Sequence, residues 1–217
     1  MSLTEAEMVF AGAHETGIND ILTAFFMARP RYLNYATPSL PAPPGTPFVS
    51  VPAIAFPGIP GGIQYRISLS IPVIDFDPDS SAGTSPLPVI SSQFNVNTKV
   101  TITVGCIRKI RDDDKERPGS FIPIDTTLEV WGRGKPTVTY SGPGVGVVGF
   151  QLDQVEIVDI TPDSLESVLE CLILMILSAV LSNVQLPFNT LSVGAFSLIL
   201  SRGPEVEDDQ VKLYGGV

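Results

Sequence analysis

Three glycines, Gly144, Gly146 and Gly149, form the first pattern in this sequence that could do chemistry, because they have the spacing G-x-G-x-x-G. Glycines at this spacing let a backbone approach a dinucleotide pyrophosphate where a strand leads into a helix. The residues that follow, FQLDQVEIVDI, are rich in β-branched side chains, and no strand–helix–strand pattern surrounds them. We therefore interpret the three glycines as part of a turn between two strands.

Three aspartates, Asp75, Asp77 and Asp79, resemble the start of a calcium-binding loop, in which alternate carboxylates converge on one ion. The later positions of such a loop do not fit. Ser80 stands where a sharp turn needs glycine, and Pro86 stands where a bidentate glutamate belongs. A solvated turn at the end of a strand is the better interpretation. We expect no metal site and no cofactor.

Acid–base and thiol chemistry also have few candidates. His14 is the only histidine, and no G-x-S-x-G sequence supplies a nucleophilic serine for it. It stands beside Glu15 in a segment predicted to be helical, and we interpret it as a surface histidine. Cys106 and Cys171 have no basic cluster nearby in sequence, so we interpret them as small core residues. We therefore expect no catalytic residue and no enzymatic activity.

The charge of the chain limits its partners. There are 13 Lys and Arg residues against 23 Asp and Glu residues, and the net charge of -10 argues against binding to nucleic acid or anionic membranes. The first residues, MSLTEAEMVFAGAHE, carry acids where a secretory signal carries basic residues. We expect a cytoplasmic protein, or one exported without a secretory signal peptide.

The strongest helix pattern runs from Asp163 to Asn183. Asp163 and Glu166 form a capping box, and apolar residues recur at helical spacing. From Cys171 to Leu181 the pattern is apolar on nearly every side, so the predicted helix needs cover on several sides. Polar residues and a following proline make it too short and too polar to cross a bilayer, so we expect no integral membrane protein.

The rest of the chain has mostly the pattern of antiparallel strands. Alternating apolar and polar residues predict strands at Ile63–Val73, Val96–Cys106 and Ile122–Val130. Between Phe150 and Ile160 the apolar positions shift from even to odd, which predicts a β-bulge near Asp153. We expect one domain over residues 1–217, with an N-terminal helical segment (1–36), a Pro-rich connector (37–62), antiparallel strands (63–160), a long helix (163–184) and terminal strands (195–217).

The order of these elements resembles the tubular lipid-binding (TULIP) superfamily. The likeness is carried by Leu186 and Pro187 directly after the long helix, Gly194 and Phe196 in a following strand, and a terminal hairpin that turns near Asp208 and Asp209 and ends in Val211 to Tyr214. This superfamily includes bactericidal permeability-increasing and lipid-transfer proteins, insect takeout proteins and accessory proteins of clostridial neurotoxin clusters. Its bacterial intracellular members are the nearer comparison.

The resemblance implies an α+β fold. In that fold a long, strongly bent antiparallel sheet wraps round a long apolar C-terminal helix, with a second, amphipathic helix at the N-terminal end, and lipid tails lie between sheet and helices. The resemblance also implies a bridge between Cys106 and Cys171, as in secreted members, whereas a reducing cytosol favours free thiols. Both states of the cysteines remain open at this point.

We therefore expect non-enzymatic binding or carriage of a lipid or other hydrophobic ligand in a tunnel between sheet and helices, driven by burial of apolar surface. The alternative is a structural, assembly or toxin-accessory subunit with a filled interior and no ligand. Both functions are compatible with a homo-oligomer or with a protein partner. Arg66 or Arg108 is the candidate for holding a headgroup. The residues predicted to line the tunnel or core are Ile21, Leu22, Phe25, Tyr65, Ile67, Leu69, Val100, Ile102, Val104, Leu128, Val130, Leu169, Ile173 and Ile176.

Overall fold

Two helices and thirteen strands lie in the part of the chain that the computed structural model describes, namely residues 9–57, 59–76, 85–88, 90–106, 124–158, 163–194, 196–207 and 209–216. The helices are α1 (Glu15–Ala28) and α2 (Asp163–Leu181), and a short 3-10 helix covers Pro30–Leu33. The strands are β1 (Val9–His14), β2 (Asn34–Ala36), β3 (Val49–Ser50), β4 (Ile54–Phe56), β5 (Ile59–Leu69), β6 (Val73–Phe76), β7 (Phe94–Cys106), β8 (Ile124–Gly142), β9 (Val145–Ile157), β10 (Leu186–Phe188), β11 (Leu191–Val193), β12 (Phe196–Glu207) and β13 (Gln210–Gly216).

The chain divides into two compact units. Unit 1 consists of Met1–Leu22, Pro72–Asn97 and Val130–Val217, and unit 2 consists of Thr23–Ile71 and Thr98–Glu129. Helix α1 and strands β7 and β8 each have residues in both units. The single domain expected from the sequence stays a prediction.

Unit 1 contains two antiparallel groups of three or more strands. One joins its strands in the order β1-β13-β12-β11, and the other joins β10, β9 and β8 in that order. Strand β6 pairs with the first residues of β7, and α2 packs against β9. The contact between the buried side of α2 and β9 is therefore one part of the core of this unit.

Unit 2 is organised around β5, which pairs antiparallel with β2, β4 and β7. Strand β3 pairs with β2 in parallel. Tyr65, Ile67 and Leu69 are buried, whereas Ser68 is exposed and Arg66 is half-buried, as the alternation of the sequence predicts. The α+β class and the mainly antiparallel sheet are thus confirmed.

Several strand boundaries differ from the prediction. The strand predicted at Ile63–Val73 is divided, because β5 ends at Leu69 and β6 begins at Val73. The Pro-rich connector contains two short strands, β3 and β4, which lie between its prolines. Ile122, the predicted first residue of the third strand, lies outside the described residues.

The N-terminal segment predicted to be helical contains a strand. Residues Val9–His14 form β1 and pair with β13, with Val9 opposite Gly215 and His14 opposite Gln210. Helix α1 begins only at Glu15. The helical prediction was wrong for these residues because local spacing carries no information about a pairing partner near the other end of the sequence.

Side chains of α1 hold the backbone of β6. The amide nitrogen of Asn19 donates to the carbonyl oxygen of Ile74 at 2.7 Å, and its amide oxygen accepts from the Ile74 N–H at 2.8 Å. One turn earlier, a carboxylate oxygen of Glu15 accepts from the Phe76 N–H at 3.1 Å. These bonds satisfy backbone groups that a short strand leaves unpaired at its edge.

One row of residues on α2 is exposed. Cys171, Met175 and Ala179 follow each other at four-residue spacing on the outer side of the helix, and Met175 is 62% exposed. Leu169 and Ile173, which lie on the other side, are buried. The expectation that this helix is covered on several sides was wrong along the exposed row. Residues four apart lie on the same side of an α-helix, because one turn takes about four residues. One such row can therefore face solvent even where the sequence is apolar throughout.

The predicted β-bulge is present. In the β8–β9 ladder, Arg133 lies opposite Gln154 and Gly134 lies opposite Leu152, so Asp153 has no residue opposite it. Asp153 is exposed, and the apolar residues on either side of it are buried. The extra residue keeps the apolar positions on the buried side after the shift from even to odd numbers.

Candidate functional site

The residues predicted to line a tunnel are divided between the two units. Unit 1 holds Ile21, Leu22, Val130, Leu169, Ile173 and Ile176, and unit 2 holds Phe25, Tyr65, Ile67, Leu69, Val100, Ile102, Val104 and Leu128. Eleven of the fourteen are buried; Phe25 and Val104 are half-buried, and Ile21 is 49% exposed. The structure thus places most of these side chains in packed cores.

Ile21 was wrongly predicted to be inside. The buried stripe of α1 consists of Ile18, Leu22 and Phe26, which follow each other at four-residue spacing. Ile21 lies off this stripe, although its spacing from Ile18 also fits a helical face. The helical period is compatible with burial of either side of α1. Which side is buried depends on packing against the rest of the protein.

The core of unit 1 includes three phenylalanines in mutual contact. The ring of Phe94 lies edge-on to Phe76 at 6.2 Å and edge-on to Phe150 at 5.6 Å between centroids. Phe76 and Phe150 are 6.2 Å apart at a tilt of 34°. All three rings are buried, and such edge-to-face geometry is the preferred packing of aromatic side chains.

An apolar groove of about 200 Å³ lies within unit 1, away from all fourteen predicted residues. None of the ten described residues that line it is charged. These residues are Ala11, Gly12, Ala13, Val148, Leu186, Pro187, Phe188, Leu200, Val211 and Leu213. Leu186, Pro187 and the range that includes Val211 and Leu213 were named in the sequence analysis for their order along the chain and not as ligand-binding residues.

The two faces of the β1–β13–β12 ladder have different chemistry. Val211 and Leu213 contact the groove, whereas Lys212 between them has its side chain on the opposite face. Lys212 is only 4% exposed, and its ammonium nitrogen lies 3.3 Å from a carboxylate oxygen of Glu207 and 5.5 Å from the centroid of the Phe10 ring. The buried charge is therefore paired, and the apolar groove stays free of it.

Arg66, a predicted headgroup ligand, is already engaged. Its guanidinium donates to the Thr103 hydroxyl at 3.0 Å and to the Pro41 carbonyl oxygen at 3.4 Å, and it lies 3.9 Å from a carboxylate oxygen of Asp125. The Thr103 hydroxyl in turn donates to Asp125. Arg108, the other candidate, lies outside the described residues. A headgroup clamp at Arg66 would have to replace these bonds.

Three acids of unit 1 form a cluster of possible metal ligands. Oxygen atoms of Glu156, Glu166 and Glu170 lie within 4.8 Å of one another, and all three residues are half-buried. Glu170 also accepts from the Ile157 N–H at 3.3 Å. A carboxylate binds a cation through one or both oxygens, so these three residues alone do not identify a particular metal. The solvated turn predicted at Asp75, Asp77 and Asp79 remains untested, because Asp77 and Asp79 lie outside the described residues.

The predicted thiol and histidine roles need two corrections. Cys171 is a free thiol and is exposed, so it is neither a core residue nor bridged to Cys106. His14 is the last residue of β1 and not part of a helix. Its ring nitrogen Nδ1 accepts from the Thr16 N–H at 3.2 Å and lies 2.7 Å from the Thr16 hydroxyl oxygen. It is exposed, as predicted.

The glycines with the G-x-G-x-x-G spacing belong to a hairpin, which confirms the predicted turn between strands. Gly144 lies in the turn between β8 and β9 with φ of +65°, a conformation that favours glycine. Gly146 lies in β9, where a Cβ atom would be 2.5 Å from the carbonyl oxygen of Thr139. The glycines therefore allow close packing of two strands and of the segment that follows α2.

Burial shifts the titration of three tyrosines. Burial, followed by the charge on Tyr32, raises the pKa of Tyr35 to about 12. Burial also raises the pKa of Tyr65 and of Tyr140. In each case the neutral phenol is favoured because an ionised oxygen would lose hydration.

Stability is expected to decrease in strongly alkaline solution because of Tyr35. A folded-state pKa above the ordinary value of 10.0 gives a contribution that is fully present below pH 10 and is lost as the pH rises through about 12. We expect the free energy of unfolding to fall across this interval and to fall less steeply in Tyr35→Phe. Urea denaturation at a series of pH values measures both slopes. Equal slopes would show that Tyr35 does not contribute.

The comparisons with known proteins leave the family open. No protein-family model matches this chain, and no curated protein matches it. Among the described residues, no helix combines the length and apolar character needed to cross a membrane.

Proposed function

We propose that this protein binds a lipid or another apolar molecule without catalysing a reaction, and that the groove in unit 1 is its binding site. We further propose that its fold is of the tubular lipid-binding kind, with the sheet curved around α2. The observation that carries the functional proposal is the groove, because its ten described lining residues are without charge. The packing of α2 against β9 supports the proposed fold.

The size of the groove indicates what kind of group it accepts. A dry apolar cavity of about 150 Å³ holds a benzene molecule, and sites for drug-sized ligands are about 300–1,000 Å³. The present groove, at about 200 Å³, lies between these sizes. It accommodates a ring or one end of an acyl chain, with the rest of a larger molecule outside. Each methylene buried there contributes about 0.8 kcal/mol before the cost of ordering the ligand.

A charge placed in the groove is expected to weaken ligand binding. Leu186 is half-buried in β10 and lines the groove, so Leu186→Asp should weaken binding of the neutral fluorescent probe N-phenyl-1-naphthylamine by about tenfold or more, since a buried carboxylate must lose hydration. Leu191→Asp is the matched control, because Leu191 is 59% exposed and does not line the groove. Fluorescence titration gives both affinities. Equal affinities for the two variants would reject the groove as the site.

A second candidate function is that of an assembly or accessory subunit with a filled interior. It is favoured by the burial of eleven of the fourteen predicted tunnel residues in packed cores. Organic extraction of the purified protein followed by mass spectrometry distinguishes the two functions. A reproducible co-purifying lipid supports the carrier, whereas no lipid together with no probe binding supports the subunit.

A further inference from the structure

Charge is distributed unevenly between the two units. Unit 1 contains four Lys and Arg residues against seventeen Asp and Glu residues, whereas unit 2 contains nine against six and is net basic. The difference is strongest in the first segment of unit 2. No acidic residue occurs between Asp20 and Asp75, and the basic residues of that stretch are Arg29, Arg31 and Arg66. Unit 2 is therefore the part of this acidic chain that can attract an anion.

Two of these arginines are held against aromatic rings. The guanidinium carbon of Arg29 lies 5.2 Å from the centroid of the Phe25 ring, and that of Arg31 lies 4.8 Å from the centroid of the Tyr32 ring. The two rings stack on each other, with 5.8 Å between centroids and 15° between planes. We call these four residues the arginine–aromatic cluster. Both guanidiniums are within the range of cation–π attraction, so the rings help to hold them in place.

The backbone that carries the cluster is fixed by hydrogen bonds. The Arg29 N–H donates to the Phe25 carbonyl oxygen at 2.9 Å, and the Tyr32 N–H donates to the Arg29 carbonyl oxygen at 3.2 Å. Pro30 begins the 3-10 helix, and its carbonyl oxygen accepts from the side-chain amide of Asn34 at 3.0 Å. A ligand therefore meets arginines whose positions are largely set before binding, which lowers the entropic cost of ordering them.

Neither guanidinium of the cluster has an acidic partner in the part of the chain that the structure describes. Arg31 donates one N–H to the Tyr32 hydroxyl at 2.9 Å, and the Arg29 side chain makes no hydrogen bond to a described residue. Arg66 differs, because it lies 3.9 Å from a carboxylate oxygen of Asp125. Arg29 and Arg31 are exposed. Their remaining N–H groups can therefore bind carboxylates, which fit the planar guanidinium in a bidentate manner.

We propose that the arginine–aromatic cluster binds a short acidic segment of a partner protein, with one carboxylate at each guanidinium. Recognition of acidic motifs by clustered arginines is a recurring mode of peptide binding. The proposal goes beyond the proposed function, because the cluster lies in unit 2 and the groove lies in unit 1.

The net charge of the chain favours a short segment over a larger anionic body. A membrane, a nucleic acid or a second copy of this chain is large enough to be repelled by the total charge of -10. A short segment interacts mainly with charges within about 8 Å, the Debye length at physiological ionic strength. The sequence that carries the cluster has no acid from Ile21 to Ile74, so the local charge is complementary to an acidic segment.

The test uses the full-length protein and an acetylated, amidated peptide in which four glutamates lie between two glycines. Titration of ¹⁵N-labelled protein should shift the side-chain Nε–H signals of Arg29 and Arg31 and the amide signals of residues 31–33. The matched peptide has glutamine in place of every glutamate. It should bind at least about tenfold more weakly, because hydrogen bonds to a charged acceptor are about twice as strong as those to a neutral one.

Charge-matched variants separate the cluster from the general charge of the chain. Arg29→Gln with Arg31→Gln should weaken binding of the glutamate peptide at least about tenfold. Lys99→Gln with Lys135→Gln removes the same charge at two exposed positions outside the cluster and should leave the affinity unchanged. Circular dichroism verifies that both double variants are folded.

A third double variant tests the geometry of the guanidiniums. Arg29→Lys with Arg31→Lys keeps the net charge but cannot bind a carboxylate in a bidentate manner, so it should bind the glutamate peptide several-fold more weakly than the original protein does. Full affinity in this variant would mean that charge alone is recognised and would overturn the proposal.

Three further results would overturn the proposal. The first is equal affinity for the glutamate and glutamine peptides. The second is binding to phosphatidylserine vesicles without binding to the peptide, which would make a membrane the occupant. The third is self-association that Arg29→Gln with Arg31→Gln removes, which would make a second copy the occupant. N-phenyl-1-naphthylamine reports separately on the groove. If this probe binds and the glutamate peptide does not, the segment proposal fails and the proposed function stands.

Discussion

Gly134→Ala is expected to lower the free energy of unfolding by about 3 kcal/mol, the upper end of the usual cost of overpacking a core. A Cβ atom at this position would overlap the carbonyl oxygen of Gln151 in the neighbouring strand and lie 2.9 Å from the Phe94 ring. The first of these neighbours is backbone, and the second belongs to the aromatic core, so neither moves cheaply. Strand β8 would have to separate from β9 next to the bulge at Asp153.

Gly17→Ala is the matched control for this substitution. Gly17 lies in α1, and a Cβ atom there has no other atom within 4 Å. Alanine is expected to stabilise the protein by about 0.5–1 kcal/mol because it restricts the unfolded chain and favours helix. Urea denaturation followed by fluorescence of Trp131, the only tryptophan, reports on the same strand as Gly134. Similar stability changes for the two variants would contradict the packing described around Gly134.

Phe94→Ala is expected to cost about 3–5 kcal/mol, the usual range for deleting a buried phenylalanine. Phe94 is fully buried and makes edge-to-face contacts with both Phe76 and Phe150. Its removal leaves a cavity and ends both contacts at once. The surrounding strands are held by their ladders, so they cannot close the space fully.

Phe10→Ala provides the comparison within unit 1. Phe10 is about half exposed, and its ring contacts Tyr214 at 6.2 Å between centroids. The expected cost is about 1–2 kcal/mol, since the ring's contacts with Tyr214 and with the Lys212 ammonium are lost. Chemical denaturation of both variants gives the two values. A cost for Phe94→Ala no larger than that for Phe10→Ala would show that the aromatic cluster is not part of a tightly packed core.

Local patterns in the sequence were sufficient for some elements. The bulge at Asp153 was predictable because the side-chain period of a strand is two, so a change from even to odd apolar positions requires one extra residue. The turn at Gly144 was predictable because its neighbours have strand patterns on both sides. In both cases the sequence pattern and the structural feature that it predicts lie within about ten residues of each other, the length of one or two strands.

Other features depend on contacts between distant parts of the chain. Strand β1 was missed because its partner, β13, lies close to the other end of the sequence. The exposure of Ile21 and Cys171 depends on which stripe of each helix meets the sheet, and the helical period alone allows more than one answer.

The groove was missed for a related reason. Its lining includes Ala11–Ala13 and Leu186–Phe188, two short segments with no feature in common except their place in the end strands of two ladders. Ala11, Gly12 and Ala13 have neither large apolar nor reactive side chains, so nothing in this segment predicted a binding site. Whether a strand lies at an edge depends on the order of strands in the sheet. The sequence of a short segment does not determine that order.

The pairing of β1 with β13 has a consequence for synthesis in the cell. Ribosomes make the N-terminal end first, so β1 emerges with both of its edges unpaired and waits until β13 has been translated. Both segments of unit 2 leave the ribosome well before β13 does. We therefore expect unit 2 to acquire protease resistance on the nascent chain, and the β1–β13 ladder to close only after β13 has left the ribosome.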